Sequence, residues 1–435
     1  MTFFFEISYN QIDKRLRLFS LTVSLCIRMV KQTKLLNYKP KKEKNMKKKV
    51  LLVTLLVVAI VASCFAFTAC DKDKDKGNGG STKVEMSGYN PATDGPMKVA
   101  MITDYGDITD QSFNQTTYEA SKAFCEANGL SFKYFKPAGD STEARVASVE
   151  QAVQEGFNVI VMPGYAFGAT VAEVAEKNEK VTFVALDVSQ GDLGADYTIP
   201  GNVATFVYHE ELSGYMAGYA AVKEGYKKLG FLGGMAVPAV IRFGYGFVQG
   251  ANAAAVEMNI ANEVSVNYVY GGKFNGTPEI TAAMETWYKG GTEVVFACGG
   301  GIFTSACEAA AKVNGKVIGV DSDQSHVINK DYPGMCITSA MKGLAPTVNT
   351  VLQAIKDGNW KNYYGTVSNL GMVSGTDASL NYVQLPMDTW SMTNFTIDDY
   401  KDLVRRIEAG IYNISTDTAN MPATKITVTT QANIH

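Results

Sequence analysis

The stretch TDYGDITDQSFNQ, residues 103–115, links a short apolar run, VAMIT (99–103), to an amphipathic helical pattern at residues 112–128. Short polar side chains and one phenylalanine therefore crowd the point where a predicted strand ends and a helix begins. In open parallel sheets, ligands bind beyond the carboxyl ends of the strands. If residues 99–103 belong to such a sheet, this stretch belongs to a binding site.

The same alternation of strand and helix continues from residue 97 onward. Further strands are predicted at 132–137, 159–164, 182–187, 228–235, 266–272, 294–300 and 316–323. Further helices are predicted at 141–155, 169–178, 209–224, 240–257, 278–289 and 303–313. This pattern predicts an α/β protein whose parallel sheets are flanked by helices.

The pattern restarts after about residue 207, which predicts two lobes joined by a hinge. We expect residues 97–206 and 338–362 in lobe 1, and residues 207–337 and 363–435 in lobe 2. The chain would cross between the lobes near residues 204–208 and again near 336–340. A ligand cleft would then be lined from both sides.

The segment before the first strand has the plan of a lipoprotein signal peptide. Three lysines precede the apolar run VLLVTLLVVAIVASCFAFTAC (50–70), and small residues precede both of its cysteines. We expect residues 46–70 to be the signal and Cys70 to be lipidated, with Cys64 as the alternative; a transmembrane helix is the competing interpretation. Residues 1–45 are then an upstream extension from a misassigned start, and 71–96 a flexible linker.

Composition excludes some classes of protein. Residues 1–50 hold 13 of the 40 Lys and Arg but 3 of the 43 Asp and Glu, so the remainder has a formal net charge of −13. Such an acidic body is a poor partner for nucleic acid. Four cysteines beyond the signal, Cys125, Cys298, Cys307 and Cys336, are too few for a disulfide scaffold, and we expect buried thiols.

Three motifs resemble the basic membrane protein family of substrate-binding lipoproteins. They are T-D-x-G-x-x-x-D-x-S-F-N-Q at 103–115, G-G-M-x-x-P-x-x-x-R-F at 233–243 and I-G-V-D-x-D-Q at 318–324, and the resemblance covers about residues 97–412. It implies a two-lobed fold of the periplasmic-binding-protein type I class that serves an ABC importer. The best understood members of that family bind purine nucleosides.

A nucleoside needs aromatic plates for its base and acceptors for its hydroxyls. Asp104, directly after its strand, can accept a hydrogen bond from a ring N–H, and Phe113 can stack on the base. By resemblance, Phe274 is the opposing plate, and Gly300 offers backbone contact.

The sugar end of the ligand is assigned by resemblance. Asp187 and Asp321 match the carboxylates that bind ribose, and Lys342 matches a lysine that reaches the sugar. The alternatives are a core role for Phe113 and a turn or cap role for each aspartate. Tyr105 stands where nucleoside-binding members have an asparagine, so the base that would be bound stays open.

Other polar residues near these positions have simpler interpretations. Asp110 and Ser112 are predicted to be helix caps, because Ser112 and Gln115 have capping-box spacing. Arg242 and Phe243 are expected to have an inter-lobe or surface role. No catalytic residue, metal site or cofactor is predicted.

The signal segment and the family resemblance together imply a monomeric, lipid-anchored binding protein on the outer face of the cell membrane, with an ABC permease as its partner. The alternatives are a receptor for another small ligand, such as a sugar or an autoinducer, and an exported nucleoside hydrolase. A hydrolase of that kind would need a D-x-D-x-x-x-D-D cluster, which the sequence lacks. A sugar-repressor type of regulator would need a DNA-binding domain before the first strand, and residues 71–96 are too short and polar for one.

Overall fold

The computed structural model describes residues 84–104 and 106–434, which fall in one compact unit, Thr82–His435. The predicted signal peptide, Cys64, Cys70 and Tyr105 lie outside the described residues. Within the described part of the chain, no helix combines the length and the apolar character needed to cross a membrane.

The described chain alternates strands and helices. The strands are β1 (Lys98–Ile102), β2 (Ser131–Phe135), β3 (Val159–Pro163), β4 (Thr182–Leu186), β5 (Val203–Tyr208), β6 (Lys228–Gly233), β7 (Ser265–Tyr270), β8 (Val294–Cys298), β9 (Lys316–Asp321), β10 (Cys336–Lys342), β11 (Thr366–Leu370), β12 (Val383–Gln384) and β13 (Thr427–Thr430). The α-helices are α1 (Phe113–Asn128), α2 (Thr142–Gln154), α3 (Gly168–Val174), α4 (Gln190–Leu193), α5 (Glu210–Glu224), α6 (Pro238–Glu257), α7 (Pro278–Lys289), α8 (Phe303–Ala311), α9 (Ser325–Asp331), α10 (Leu344–Lys356) and α11 (Ile397–Glu408). Short 3₁₀ turns occur at Tyr165–Phe167, Glu176–Asn178, Trp360–Asn362 and Ala378–Leu380.

These strands form two sheets, one in each lobe. The lobe 1 sheet has the order β11-β5-β4-β3-β1-β2 and is parallel throughout. The lobe 2 sheet has the order β12-β10-β9-β8-β6-β7-β13, in which β12 is antiparallel to β10. The predicted α/β class with parallel sheets is confirmed.

Both faces of each sheet are covered. In β3, Val159 and Val161 belong to one buried cluster, whereas Ile160 and Met162 belong to the cluster on the opposite face. Successive side chains of a strand point to opposite faces, so a continuous apolar run is required when helices cover both. This explains why the apolar runs of the sequence predicted the inner strands closely.

The expected lobe boundaries need correction. Strand β10 pairs with β9 in lobe 2, so residues 338–342 do not belong to lobe 1. Strand β11 pairs with β5, so residues 366–370 belong to lobe 1. The chain therefore passes between the lobes three times, after β5, after β10 and after β11, and the third passage was not predicted.

The three crossing segments are hydrogen-bonded to one another. His209 N donates to Leu370 O at 2.9 Å, and Tyr382 N donates to Gly371 O at 3.0 Å. Gly343 N donates to Tyr382 O at 2.6 Å. The three segments that join the lobes are thus linked to one another by backbone hydrogen bonds and are not independent connections.

Part of the predicted flexible linker, residues 71–96, is held against lobe 1. Tyr89 is buried, and its backbone N donates to Thr182 Oγ1 at 2.9 Å. Ser87 N donates to Gly201 O at 3.1 Å. Residues 87–89 therefore pack on lobe 1, because their backbone N–H groups donate to acceptors close to the amino ends of β4 and β5.

Helices α5 and α6 pack in backbone contact. A Cβ at Gly214 would lie 2.1 Å from Phe243 O, and one at Gly246 would lie 2.1 Å from Glu211 O. No side chain longer than hydrogen fits at either place. This close crossing brings the first turn of α5 against the first turn of α6, at the edge of the cleft.

Candidate ligand-binding cleft

A cavity of about 490 Å³ opens between the carboxyl ends of the two sheets. This volume is within the range of small-molecule sites. Seven of the eight predicted ligand-binding residues line it: Asp104, Phe113, Asp187, Phe274, Gly300, Asp321 and Lys342. The eighth, Tyr105, lies outside the described residues. The structure therefore brings together residues that are up to 238 positions apart in the sequence.

Lys342 lies at the centre of a buried charge cluster. Its Nζ is 2.5 Å from Asp187 Oδ2, 3.4 Å from Glu210 Oε1 and 3.7 Å from Asp321 Oδ1. The ammonium also lies 4.6 Å from the ring centroid of Phe113, a cation–π contact. Three carboxylates from two lobes and the crossing region therefore converge on one cation.

The cluster shifts the pKa of its members. Burial raises the pKa of Asp187 and of Asp321 above their ordinary value, and the attraction of Lys342 offsets part of that rise. Burial by itself lowers the pKa of Lys342, but the carboxylates outweigh burial and raise it. Lys342 is therefore held as a cation.

One carboxylate oxygen of Asp187 accepts no hydrogen bond from the described residues. Its Oδ1 is buried and has no hydrogen-bond partner among the described residues. A buried acceptor without a partner costs about 1 to 3 kcal/mol. A hydroxyl group of a ligand would satisfy it.

The two aspartates have the same unusual backbone. Asp187 has φ 59° and Asp321 has φ 64°, a left-handed conformation that Asp tolerates better than most residues. Asp187 directly follows β4, and Asp321 is the last residue of β9. The turn aims each carboxylate from its strand end into the cleft.

Asp104 is held by the loop that follows it. Its Oδ1 accepts hydrogen bonds from Gly106 N at 2.6 Å and from Asn114 Nδ2 at 3.3 Å. A Cβ at Gly164 would lie 2.7 Å from Asp104 Oδ2, and Gly164 has φ 124°, so only glycine fits there. Asn114 Oδ1 is another buried acceptor without a described partner. Asn114 was not predicted as a site residue.

Of the two predicted helix caps, Asp110 is confirmed and the Ser112 side chain is not a cap. Asp110 caps α1, since its carboxylate accepts from Asn114 N at 2.9 Å and from Gln115 N at 3.0 Å. The prediction that Ser112 forms a capping box with Gln115 is wrong. Ser112 Oγ donates instead to Asp321 Oδ2 at 2.6 Å, because the two lobes approach each other here.

Phe274 is accommodated by glycines. A Cβ at Gly234 would lie 2.4 Å from the Phe274 ring, and one at Gly299 would lie 2.9 Å from it. Gly300 has φ 52°, and a Cβ there would lie 2.9 Å from Phe274 O. Glycines from two segments, Gly234 after β6 and Gly299 and Gly300 after β8, therefore make room for this ring and its backbone. Phe274 and Phe113 line the same cavity from different lobes.

Arg242 and Phe243 were expected to have an inter-lobe or surface role, and both line the cleft between the lobes, whereas Glu210, which holds Arg242 from behind, was not predicted. Arg242 Nε donates to Glu210 Oε2 at 2.5 Å, and Glu210 is 0% exposed. Arg242 lines the cleft instead of the outer surface. Glycines recur four residues apart in both helices, at Gly214 and Gly218 in α5 and at Gly246 and Gly250 in α6. This spacing was the available signal for the close helix contact that brings Glu210 and Arg242 together.

The described residues hold no cluster of three or more potential metal ligands. The cysteines Cys125, Cys298, Cys307 and Cys336 are buried and unpaired, as expected. Burial raises the pKa of each thiol. Their surroundings are those of inert core thiols.

The chain has sequence relatives among transport proteins. It is 26% identical over 348 residues to the "ABC transporter nucleoside-binding protein BmpA" of Lactococcus lactis, which covers 76% of this chain and 90% of the relative. It is 27% identical to "Basic membrane protein B" of Borreliella burgdorferi, over 64% of this chain and 79% of the relative.

Solved structures share the fold. An ABC transporter solute-binding protein from Conexibacter woesei matches with a TM-score of 0.58 and 22% identity, over 74% of this chain and 99% of that one. A solute-binding protein from Aeropyrum pernix matches with a TM-score of 0.57 and 20% identity, over 74% of this chain and 88% of that one. The periplasmic-binding-protein type of fold is thereby confirmed.

The family model described as "ABC transporter substrate-binding protein PnrA-like" matches residues 97–376, more than half of the 435-residue chain. That span contains the three motifs and every predicted residue of the cleft. The chain belongs to this family of ABC transporter substrate-binding proteins.

Proposed function

We propose that this substrate-binding protein takes a nucleoside into the cleft, with its sugar between Asp187 and Asp321 and its base between Phe113 and Phe274. The observation that carries the proposal is the meeting of two carboxylates from opposite lobes at Lys342, beside the unpartnered Asp187 Oδ1. Vicinal hydroxyls are donors that match such a pair of acceptors. The similarity to a relative named as a nucleoside-binding protein adds support.

The base end of the cleft is apolar with polar edges. Phe113 and Phe274 supply rings, and stacking of a base on an aromatic ring is worth about 1 to 3 kcal/mol. Asp104, fixed by Gly106 and Asn114, supplies acceptor oxygens at the same wall. An acceptor suits the ring N–H of a purine such as inosine or guanosine.

Delivery to a permease completes the proposal. The protein is anchored at the outer face of the membrane through a lipid on Cys70, acts as a monomer, and hands its ligand to an ABC permease. It performs no chemistry on the ligand. Closure of the two lobes around the ligand, about the three crossing segments, distinguishes the loaded protein from the empty one.

The proposal is tested by ligand identification followed by calorimetry. The protein is purified from its host, unfolded, and the released small molecules are identified by mass spectrometry. Titrations with inosine, guanosine, adenosine and uridine are then compared with arabinose, galactose and an autoinducer. Saturable one-to-one binding of a nucleoside supports the proposal, whereas binding of sugars alone would assign the cleft to a different ligand.

The same samples separate a receptor from a hydrolase. After incubation with inosine, chromatography should recover the nucleoside intact. Release of hypoxanthine in proportion to protein concentration and time would identify an enzyme instead.

A further inference from the structure

Arg242 presents most of its hydrogen-bonding capacity to the cleft. Its Nε donates to Glu210, and no hydrogen bond from either Nη atom reaches a residue that the structure describes. Neither Nη is among the described polar atoms that are sealed from solvent without a partner. The side chain is 18% exposed and lines the cavity. The free edge of the guanidinium is therefore open to a ligand.

Glu210 holds Arg242 and Lys342 together. One oxygen of this buried carboxylate accepts from Arg242 Nε at 2.5 Å, and the other lies 3.4 Å from Lys342 Nζ. The two cations share a single carboxylate, so Arg242 lies at the Lys342 end of the cleft. In the proposed pose this is the end that receives the sugar.

The chemistry of the group at that end follows from the donors. A guanidinium donates hydrogen bonds and accepts none. The 2′ and 3′ hydroxyls of a nucleoside are engaged as donors by Asp187 and Asp321 in the proposed pose. The oxygen left at the outer end of the sugar is the 5′ oxygen, which can accept.

The charges of the cluster favour a hydroxyl over a phosphate. Among the described residues, these ion pairs join three carboxylates, Asp187, Glu210 and Asp321, to two cations, Lys342 and Arg242, so the cluster already carries an excess of negative charge. A phosphate dianion would add charge of the sign that is already in excess. A neutral 5′ hydroxyl adds none.

We propose that the guanidinium of Arg242 donates hydrogen bonds to the 5′ oxygen of the bound nucleoside, and that Glu210 is the residue that positions it. This inference rests on the proposed function, because it assumes a nucleoside in the cleft. It adds a residue that selects for the unphosphorylated 5′ end of the sugar.

Two ligands measured with two proteins test the contact between Arg242 and the 5′ oxygen. The affinities of inosine and 5′-deoxyinosine are measured by calorimetry with the full chain and with Arg242→Met. The unmodified protein should prefer inosine by about 10- to 100-fold, the range of a charge-assisted hydrogen bond. In Arg242→Met the ratio of the two affinities should fall to about one, because the partner of the 5′ oxygen is gone.

The ratio separates a direct contact from a general loss of structure. Damage to the fold weakens both ligands alike and leaves their ratio unchanged. If Arg242→Met does not fold, Arg242→Lys keeps a cation beside Glu210 but removes the fork of donors, and the ratio should still fall. Lys401→Met, which removes an exposed cation of α11, is the matched control and should keep the full preference.

Glu210→Gln tests the positioning role. The variant keeps Arg242 but weakens its anchor, so it should lose affinity for inosine more than for 5′-deoxyinosine. A purely structural role would weaken both ligands equally, which would overturn this part of the proposal.

Inosine 5′-monophosphate tests whether the site prefers a 5′ hydroxyl or a 5′ phosphate. It should bind more weakly than inosine to the unmodified protein. Tighter binding of the monophosphate, lost in Arg242→Met, would overturn the hydroxyl in favour of a phosphate. An unmodified protein that binds inosine and 5′-deoxyinosine equally would overturn only the Arg242 contact. Failure to bind any nucleoside would overturn the proposed function and this inference with it.

Discussion

Asp187 and Asp321, one from each lobe, face the same ammonium group: their carboxylate oxygens lie 2.5 Å and 3.7 Å from Lys342 Nζ. Lys342 is the last residue of β10, directly before the chain returns to lobe 1. The pair of carboxylates is thus assembled only when the lobes are together. Binding of a diol between them would favour the closed arrangement.

Removal of one carboxylate should weaken the ligand more than the fold. In Asp187→Asn, Lys342 keeps Glu210 and Asp321, whereas the ligand loses a charge-assisted acceptor worth about 1.5 to 3 kcal/mol. Calorimetry should therefore show inosine affinity reduced by about 10- to 100-fold, with the unfolding temperature nearly unchanged. Asp196→Asn, an exposed change in lobe 1, is the control. Equal affinities for both variants would remove Asp187 from the site.

Removal of either aromatic ring, Phe113 or Phe274, should likewise weaken ligand binding more than it weakens the fold. Phe113→Ala and Phe274→Ala should each cost about 1 to 3 kcal/mol of nucleoside binding through lost stacking. Phe132→Ala removes a half-buried ring from β2, away from the cleft, and should leave affinity unchanged. A fall in thermal stability without a change in affinity would assign Phe113 or Phe274 to the core.

The closed arrangement should depend on hydrogen bonds between the lobes. Ser112 Oγ donates to Asp321, and Gln111 O accepts from Ser322 Oγ at 3.3 Å and from Gln324 Nε2 at 3.1 Å. Small-angle scattering should show a smaller radius of gyration with nucleoside than without it. In Ser112→Ala the closed state loses a contact, so more ligand should be needed for the same compaction.

Ser131→Ala, an exposed change on β2, provides the control for that experiment. A radius of gyration that does not change at saturation, in a protein that is open when empty, would exclude closure. A titration of Ser112→Ala that overlays the unmodified protein would remove Ser112 from the closing contact.

Glu257 should make the fold of lobe 2 sensitive to acid. Burial by itself raises the pKa of Glu257, but hydrogen bonds from Tyr219 and Tyr412 and the ion pair with Lys223 outweigh it and lower the pKa to about 2. A depressed pKa stabilises the fold above the pKa of an unfolded glutamate, about 4.3, and the stabilisation is lost as pH falls toward 2. Urea unfolding at pH 7 and at pH 3 measures this.

Glu257→Gln should lower the free energy of unfolding at pH 7 by about 1 kcal/mol, because solvent screens this partly exposed carboxylate and reduces the stabilisation that its lowered pKa implies. The difference between the variant and the unmodified protein should shrink at pH 3. An equal difference at both pH values would show that the carboxylate charge is not the stabilising element.

Lipid anchoring is tested at the mature N-terminus. Mass spectrometry of protein extracted from membranes should show diacylglyceryl-modified Cys70 as the first residue. Two acyl chains are sufficient for durable membrane attachment. Cys70→Ala should leave the protein unprocessed or processed at Cys64. An intact residue 50–70 segment in the unmodified protein would contradict the proposal.

The sequence by itself determined the inner strands, the flanking helices and most of the cleft. Runs such as residues 159–163 are apolar at every position because both faces of a parallel strand are buried, and this signal is local. Asp104, Asp187 and Asp321 lie where the strand-end rule places ligand-binding residues, and the sugar-binding roles of Asp187 and Asp321 were assigned by family resemblance. That rule needs only the carboxyl end of a strand and no knowledge of its neighbours.

Only the tertiary structure decided the partners across the lobes. Ser112 meets Asp321 across 209 positions of sequence, and Arg242 meets Glu210 through a helix contact that glycines permit. The third crossing escaped prediction because β11 is a half-exposed edge strand and β12 has two residues, too few for any periodic signal. Such pairings depend on how separate segments pack, which no local pattern of residues encodes.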